Sequence, residues 1–361
     1  MLVNKNQEKK KRLHLEIMRI CAIFFVIFNH TDDDGFFLFS LYSPQNAQFW
    51  LYMFISIFCK FAVPLYFAIS GAILLERQPE STRSLVKRIA RIMICLFIVS
   101  LGYYILECYA SKQVFDIHVF GTKLYTSNLQ YHLWFIYVYI AFLIGLPFLQ
   151  TMVKGLENKW FYYMMCIGVF FNGILPMAEW ILFRGEYSLN GLLKPYWLME
   201  NVILYPCVGY FLEKRFEITK KNLIGIWGLN IVGIISSCYL TYSKGIAEMI
   251  FSEVQSQTFH SSFVLLNVVC VFITIKYFTE KIKFNKVIKM ILCSIGEGTF
   301  GIYLLHAWFL DLPMRSWVID TLVSKGTNYL VATIVLCICV MLLCYIITVI
   351  LRKIPVLKKI L

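Results

Sequence analysis

Residues 13–33 of the chain read LHLEIMRICAIFFVIFNHTDD, an apolar stretch of membrane length that also carries ionisable side chains. Arg19 and His30 both lie inside it. An ionisable group within a bilayer is costly unless it faces a cavity or a partner, so both residues are functional candidates. They are eleven positions apart, which puts them on one stripe of a helix, roughly 16 Å apart along its axis. One helix face therefore carries a fixed cation and, well beyond it, a titratable imidazole.

The composition predicts an all-α integral membrane protein. Of the 361 residues, 59% are hydrophobic and only 15% are charged, and the mean hydropathy is +0.69. Apolar windows of about twenty residues, each long enough to cross a bilayer as a helix, recur along the chain. We predict about ten membrane spans, at residues 13–33, 50–75, 91–109, 132–153, 160–183, 196–213, 222–242, 260–280, 291–312 and 328–351.

The basic residues predict the orientation of these spans. Short cytoplasmic loops retain Lys and Arg, whereas translocated loops are poor in them. If the N-terminus is inside, most of the 34 Lys and Arg residues fall in alternate, cytoplasmic segments. Both termini are therefore expected in the cytoplasm, with residues 1–12 as a short basic tail and residues 1–361 as a single membrane domain. The net charge of +13 follows from this loop pattern, and we expect no nucleic acid partner.

The polar residues of the predicted spans separate into two layers. Glu16, Arg19 and Ser70 lie toward the cytoplasm. The opposite layer contains His30, His132, Trp134, His260, Tyr303 and His306. Four histidines from four helices thus share one depth, although His260 and His132 are also in positions typical of interfacial anchors. The sequence has no metal-ligand spacing, and we expect no metal.

Several blocks of the sequence resemble the membrane acyltransferase-3 family of multi-spanning acyl-CoA-dependent O-acyltransferases. The family's first-helix signature is Arg, ten residues and His, as in Arg19 and His30. The other similar blocks, in family order, are FAVPLYFAISG at 61–71, KRIARI at 87–92, YHLWF at 131–135 and GIYLLH at 301–306. Glu16 stands where family members often have Asp, which keeps the charge.

The resemblance implies transfer of an acyl group from cytoplasmic acyl-CoA to a hydroxyl of a cell-envelope or exported polysaccharide, or of its lipid-linked precursor. Acetyl-CoA is the expected donor, and the plasma membrane is the expected location. His30 would remove the acceptor proton or carry the acyl group itself, because histidine is basic near neutral pH. Arg19 would bind phosphate or polarise the thioester carbonyl. The other candidate catalytic residues are His132 and His306.

The candidate binding residues are Glu16, Asn29, Ser70, Lys87, Arg88, Arg91, Trp134 and Tyr303. Glu16 is expected to neutralise Arg19 across one helical turn. Asn29, His132 and Tyr303 are expected to orient the imidazole or to donate to an oxyanion. Lys87, Arg88 and Arg91 would hold the nucleotide phosphates of the donor.

Two alternatives stay open. The basic residues at 87–91 also satisfy the positive-inside rule, and Ser70 with Gly71 is also typical of close helix packing. At the level of function, a solute carrier or sensor, such as an amino-acid or proton-coupled transporter, would also place Arg19 and His30 on one helix face.

Overall fold

The computed structural model describes residues 12–248, 262–312 and 314–358, which form helices joined by turns and loops, with no strand among them. The predicted all-helical class is confirmed. The helices are α1 (Leu13–Asn29), α2 (Ala47–Cys59), α3 (Ala62–Leu74), α4 (Thr82–Ser111), α5 (Ile117–Thr126), α6 (Trp134–Gly155), α7 (Asn158–Val169), α8 (Leu175–Phe183), α9 (Tyr196–Met199), α10 (Leu204–Lys214), α11 (Lys220–Glu248), α12 (Val264–Lys281), α13 (Lys286–Leu310), α14 (Met314–Val323), α15 (Tyr329–Leu351) and α16 (Pro355–Lys358).

Several of these helices begin at polar residues that the sequence places just before apolar runs. Ser81, Asp116, Asn285 and Asn328 each accept a hydrogen bond from a main-chain N–H in the first turn of the following helix. Such caps satisfy N–H groups that have no partner within the helix. They fix the starts of α4, α5, α13 and α15.

Seven helical segments of the described residues are long and apolar enough to cross a membrane. They are Ala47–Leu74, Thr82–Ser111, Tyr131–Gly155, Asn158–Phe183, Lys220–Ile246, Lys286–Leu310 and Tyr329–Leu351. Each coincides with one of the ten predicted spans.

The other three predicted spans are shorter or more charged. The span at 13–33 is α1, with 17 residues. The span at 196–213 comprises two short helices, of which α10 has 11 residues. The span at 260–280 becomes α12, which ends in the charged sequence TEK. The count of ten and the cytoplasmic location of both ends stay predictions, and His260 and residues 1–11 lie outside the described residues.

Helix α1 lies at the centre of the bundle although it carries charges. It packs most extensively against α13 and also contacts α3, α12 and α15. Its apolar side chains are buried, with Met18, Ala22 and Ile27 each 0% exposed. Glu16 is buried, and the partly buried Arg19 pairs with it and lines a cavity, which are the settings that make an intramembrane charge tolerable.

The second predicted span is broken between α2 and α3, at Lys60. A break frees main-chain carbonyl groups, which must find donors inside a membrane protein. The Asn29 side chain donates to the Cys59 carbonyl at 3.2 Å, and the Asn267 side chain donates to the Ile57 carbonyl at 3.1 Å. Side chains of α1 and α12 thus stabilise the break, and Lys60 lies on the wall of a cavity.

Helices α3 and α10 pack closely through glycine. A Cβ atom added at Gly71 would overlap the main chain of Pro206, and one added at Gly209 would overlap the main chain of Ala68. Small residues allow helices to approach in this way when no water is available to drive their association. The packing interpretation of Gly71 is confirmed.

We expect Gly71→Ala to destabilise the protein by about 1–3 kcal/mol, because the added methyl group meets main chain that cannot rotate away. Alanine otherwise favours a helix over glycine. The matched control is Gly102→Ala in α4, where an added Cβ has no neighbour within 4 Å. Thermal unfolding of the purified proteins in detergent measures the effect. Equal midpoints for the two variants would contradict the packing argument.

Candidate active site

His30 and His306 are in direct contact. His30 follows the last residue of α1, and His306 lies near the end of α13. Their rings stack with centroids 5.1 Å apart, and His30 Nδ1 lies 3.0 Å from His306 Nε2. His306 is 0% exposed, and its Nδ1 lies 2.7 Å from the Tyr303 carbonyl oxygen. The two rings and the carbonyl form one hydrogen-bonded chain.

This chain determines which ring nitrogen carries each proton. The Tyr303 carbonyl can only accept, so the Nδ1–H group of His306 donates to it. In neutral His306 the Nε2 atom is then an acceptor, and His30 donates to it through Nδ1–H. The Nε2 atom of His30 keeps its lone pair. Since His30 lines a cavity of about 920 Å³, the pair can present one oriented base to a molecule bound there.

His132 lies behind this pair. It is 1% exposed, and its ring meets the His306 ring edge to face with centroids 4.9 Å apart. Neither of its ring nitrogens has a hydrogen-bond partner among the described residues. Across residues 12–248, 262–312 and 314–358, no three His, Cys, Asp or Glu side chains form a group that could hold a metal ion. The contact with His306 places His132 beside the pair, but it is not one of the residues that line the cavity of His30.

Tyr303 and Asn29 have different partners from those the sequence suggested. The Tyr303 hydroxyl donates to the His132 carbonyl, so Tyr303 contacts the histidine pair through its own carbonyl group instead. The Asn29 amide nitrogen is bound to Cys59. Its Oδ1 atom is buried and has no hydrogen-bond partner among the described residues. Asn29 therefore supports the helix break through one of its two amide N–H groups, and its Oδ1 atom is an acceptor next to His30.

Aromatic and polar side chains surround His30 in its cavity. The Tyr131 ring lies 4.9 Å from the His30 ring, measured between centroids, and Trp134 forms another part of the wall. A π-helical turn at Phe170–Ile174 brings Asn172 to the same cavity. The cavity is also bordered by charged residues, namely Asp32, Lys60, Lys194 and Asp311. Sequence reasoning gave no role to Lys60 or Asn172, although a polar residue within a span is a usable signal.

Arg19 lines a second cavity of about 700 Å³. Its guanidinium pairs with Glu16, with Nη1 at 2.8 Å from Oε1 and 2.9 Å from Oε2, as the spacing predicted. Ser70, Arg91 and Arg352 line the same cavity. The Ser70 hydroxyl donates to the Tyr66 carbonyl. Three arginines, Glu297 and several aromatic side chains therefore line this cavity, with more basic than acidic groups.

A smaller cavity of about 260 Å³ continues from the Arg19 cavity toward the start of α4. Arg77, Arg88 and Arg91 line it together with Arg19. Arg88 is also paired with Glu80. Lys87 is exposed and is not among the residues lining these cavities. The structure therefore brings together Arg88 and Arg91 of the predicted phosphate-binding group, and it adds Arg77 and Arg352, which sequence reasoning assigned to topology alone.

Arg315 secures the turn that follows His30. Its Nε lies 2.6 Å from Asp34 Oδ2, its Nη1 lies 3.0 Å from Asp32 Oδ2, and its Nη2 lies 2.6 Å from the Thr31 carbonyl oxygen. Asp32 has a φ of 46°, a left-handed conformation that costs energy in a non-glycine residue. Burial lowers the pKa of Arg315, but its hydrogen bonds to Asp34 and Asp32 more than compensate, so the net pKa is raised. A permanent cation thus holds the main chain beside His30.

We expect Arg315→Lys to lower turnover by about tenfold to a hundredfold while the affinity for the donor stays unchanged. Lysine keeps the charge but cannot make all three hydrogen bonds, and a small displacement of a reacting group is costly. Arg184→Lys, at an exposed residue with a single side-chain hydrogen bond to Ser243, is the control. Steady-state kinetics of thioester cleavage measures both parameters, and equal kcat values for the two variants would exclude a positioning role.

The fold and the site together define a multi-pass helical membrane protein in which one central helix borders both an arginine-lined cavity and a hydrogen-bonded histidine pair. A family model described as an acyltransferase domain, that of the acyltransferase-3 family, matches residues 12–349. The match covers essentially the whole chain, and the protein belongs to this family. The resemblance noted from the first-helix signature is therefore confirmed. No curated protein and no solved structure matches the chain.

Proposed function

We propose that the protein is a membrane O-acyltransferase that moves an acyl group, acetyl in the first instance, from cytoplasmic acyl-CoA to a hydroxyl of a cell-envelope or exported polysaccharide or of its lipid-linked precursor. Family membership supports acyl transfer at a membrane. The observation that carries the proposal is the pair of adjoining cavities, one lined by arginine and the other holding the oriented imidazole of His30. We also propose the plasma membrane as its location.

The basic cavities suit the donor. Coenzyme A carries phosphate groups at one end and a thioester at the other. Guanidinium groups bind phosphate through paired, charge-assisted hydrogen bonds. Arg77, Arg88 and Arg91 would hold the phosphates at the outer end of the basic cavities, and Arg19 would contact the donor deeper in the bundle. Glu16 keeps the Arg19 side chain in place through two hydrogen bonds.

The histidine pair suits the transfer step. His30 Nε2 accepts the proton of the acceptor hydroxyl while the hydroxyl oxygen attacks the thioester carbonyl carbon. When the tetrahedral intermediate collapses, the C–S bond breaks and the imidazolium proton passes to the CoA thiolate. His306 holds the imidazole in the tautomer that this step needs. The same Nε2 atom is also placed to take the acyl group first and to pass it on to the hydroxyl.

The His30 cavity suits a sugar acceptor. Tyr131 and Trp134 offer aromatic faces beside His30, and amide and charged side chains offer hydrogen bonds to hydroxyl groups. Lys60 lines the same cavity and supplies positive charge near an oxyanion that forms there. The volume of the His30 cavity, about 920 Å³, is within the range of small-molecule sites, so the cavity admits a sugar unit of a longer glycan.

The test is binding and cleavage of radiolabelled acetyl-CoA by the purified protein in nanodiscs. We expect saturable binding and slow release of free CoA, which added acceptor accelerates. The alternative of a solute carrier predicts a different result, because a carrier has no reason to bind CoA. Folded protein that binds neither acetyl-CoA nor a longer acyl-CoA would overturn the proposal and favour transport.

A further inference from the structure

The Arg19 cavity and the His30 cavity have two lining residues in common, Val26 and Val63. Val26 lies on α1, seven residues after Arg19 and four before His30, so it is on the same helix face as both. Val26 is 1% exposed. The two valines therefore lie at the boundary between the Arg19 cavity and the His30 cavity.

Helix α3 provides the opposite side of this boundary. Val63 and Tyr66 are three residues apart near the start of α3, and so share a face. The Tyr66 hydroxyl donates to the Arg19 carbonyl at 3.1 Å. This hydrogen bond fixes α3 against α1 and holds Val63 at the end of the Arg19 cavity that is nearer to His30.

We propose that Val26 and Val63 form a neck through which the acyl end of the donor reaches His30, and that this neck determines which acyl chain lengths are transferred. The inference rests on the proposed function, because it takes the Arg19 cavity as the donor site and His30 as the base. It assigns a selectivity role to residues that carry no chemistry of their own.

The residues around the neck make its width well defined. Valine has two methyl groups on Cβ and few rotamers, so it cannot move aside as leucine or methionine can. On the Arg19 side of the neck the wall continues as packed aromatic rings, with the Phe135 and Tyr303 centroids 5.4 Å apart. A short acyl group passes such a constriction readily, whereas each further methylene must also fit between rigid walls.

The experiment compares acetyl-CoA with octanoyl-CoA as donors for the wild type, Val26→Ala, Val63→Ala and Val63→Phe in nanodiscs. Each alanine variant removes two methyl groups from the neck, and we expect the ratio of octanoyl to acetyl turnover to rise about tenfold. Val63→Phe narrows the neck, and we expect acetyl turnover to fall about tenfold or more while acetyl-CoA binding stays within about twofold. Val335→Ala is the control, since Val335 is on α15 and 37% exposed.

The outcomes separate the neck from the proposed function. A wild type that cleaves no acyl-CoA contradicts the proposed function itself. If the wild type cleaves acetyl-CoA but the alanine variants leave the ratio of octanoyl to acetyl turnover unchanged, the neck proposal is wrong and the proposed function stands. Loss of acetyl turnover in the alanine variants contradicts the neck proposal in the same way. If Val63→Phe misfolds and loses both binding and turnover, the chain-length ratios of the two alanine variants still test the neck proposal.

Discussion

Replacing His30 by alanine is expected to reduce thioester cleavage by about 10²–10⁴-fold, the usual contribution of a general acid–base residue, while acetyl-CoA still binds. The variant removes the imidazole from the wall of its cavity, and His30 is not among the residues that line the two arginine-containing cavities. Binding of radiolabelled acetyl-CoA and release of free CoA, measured on the same nanodisc preparation, separate the two effects. The combination of intact binding and lost turnover is the signature of a residue that acts on the reacting atoms.

His118→Ala is the matched control for this result, because His118 is an exposed histidine in α5, away from the cavities. It should keep wild-type turnover. The assignment of His30 fails if His30→Ala turns over acetyl-CoA at the wild-type rate, and it also fails if the control loses as much activity. If folded His30→Ala binds no acetyl-CoA at all, the result would instead indicate that His30 contributes to binding of the donor.

The central features of the site follow from local sequence. Arg19 and His30 are eleven positions apart, which puts both on one face of any helix, and a carboxylate three residues before Arg19 is within reach of it. The structure has both features, since the Glu16–Arg19 pair is formed and His30 is at the end of the same helix. Helical geometry fixes these relations without reference to the rest of the fold.

Contacts between residues that are distant in the sequence do not follow from helical spacing. The sequence placed His30, His132 and His306 at one depth, but depth alone does not say which rings touch. Helix packing decides that His306 hydrogen-bonds to His30 and that the His132 ring meets His306 edge to face. Arg315 is equally remote in the sequence, and only the position of α14 brings it to Asp32 and Asp34. In the sequence, Arg315 is only a basic residue in a predicted loop, and nothing in its neighbours indicates its contacts with Asp32 and Asp34.

Helix breaks were also beyond a hydropathy argument. Residues 50–75 form one apolar window, and hydropathy does not distinguish a continuous helix from two helices that meet at Lys60. At the break, Asn29 and Asn267 donate to main-chain carbonyl groups of α2 from two other helices. Likewise, α1 is shorter, and α12 carries more charges, than is usual for a helix that crosses a membrane alone. Contacts with neighbouring helices make both tolerable.

Replacing Arg19 is expected to weaken acetyl-CoA binding by about 10–100-fold, since hydrogen bonds to a charged group contribute about 1.5–3 kcal/mol. Arg19→Ala alone also leaves the Glu16 carboxylate, which is 7% exposed, as an unpaired charge within the bundle. The sharper variant is therefore Glu16→Gln with Arg19→Gln, which removes both charges, preserves the size of the side chain at position 16 and leaves a shorter polar side chain at position 19.

The comparison of this double variant with Glu16→Gln alone isolates the contribution of Arg19, because both proteins lack the carboxylate. We expect the double variant to fold, as judged by thermal unfolding in detergent, and to bind acetyl-CoA more weakly than Glu16→Gln. Its loss should appear in donor affinity, whereas the loss in His30→Ala should appear in turnover. The two variants thus separate donor binding at one end of α1 from base catalysis at the other. Equal donor affinities for the double variant and Glu16→Gln would exclude Arg19 as a donor contact and leave the other arginines that line the two cavities, Arg77, Arg88, Arg91 and Arg352, as the candidate phosphate contacts.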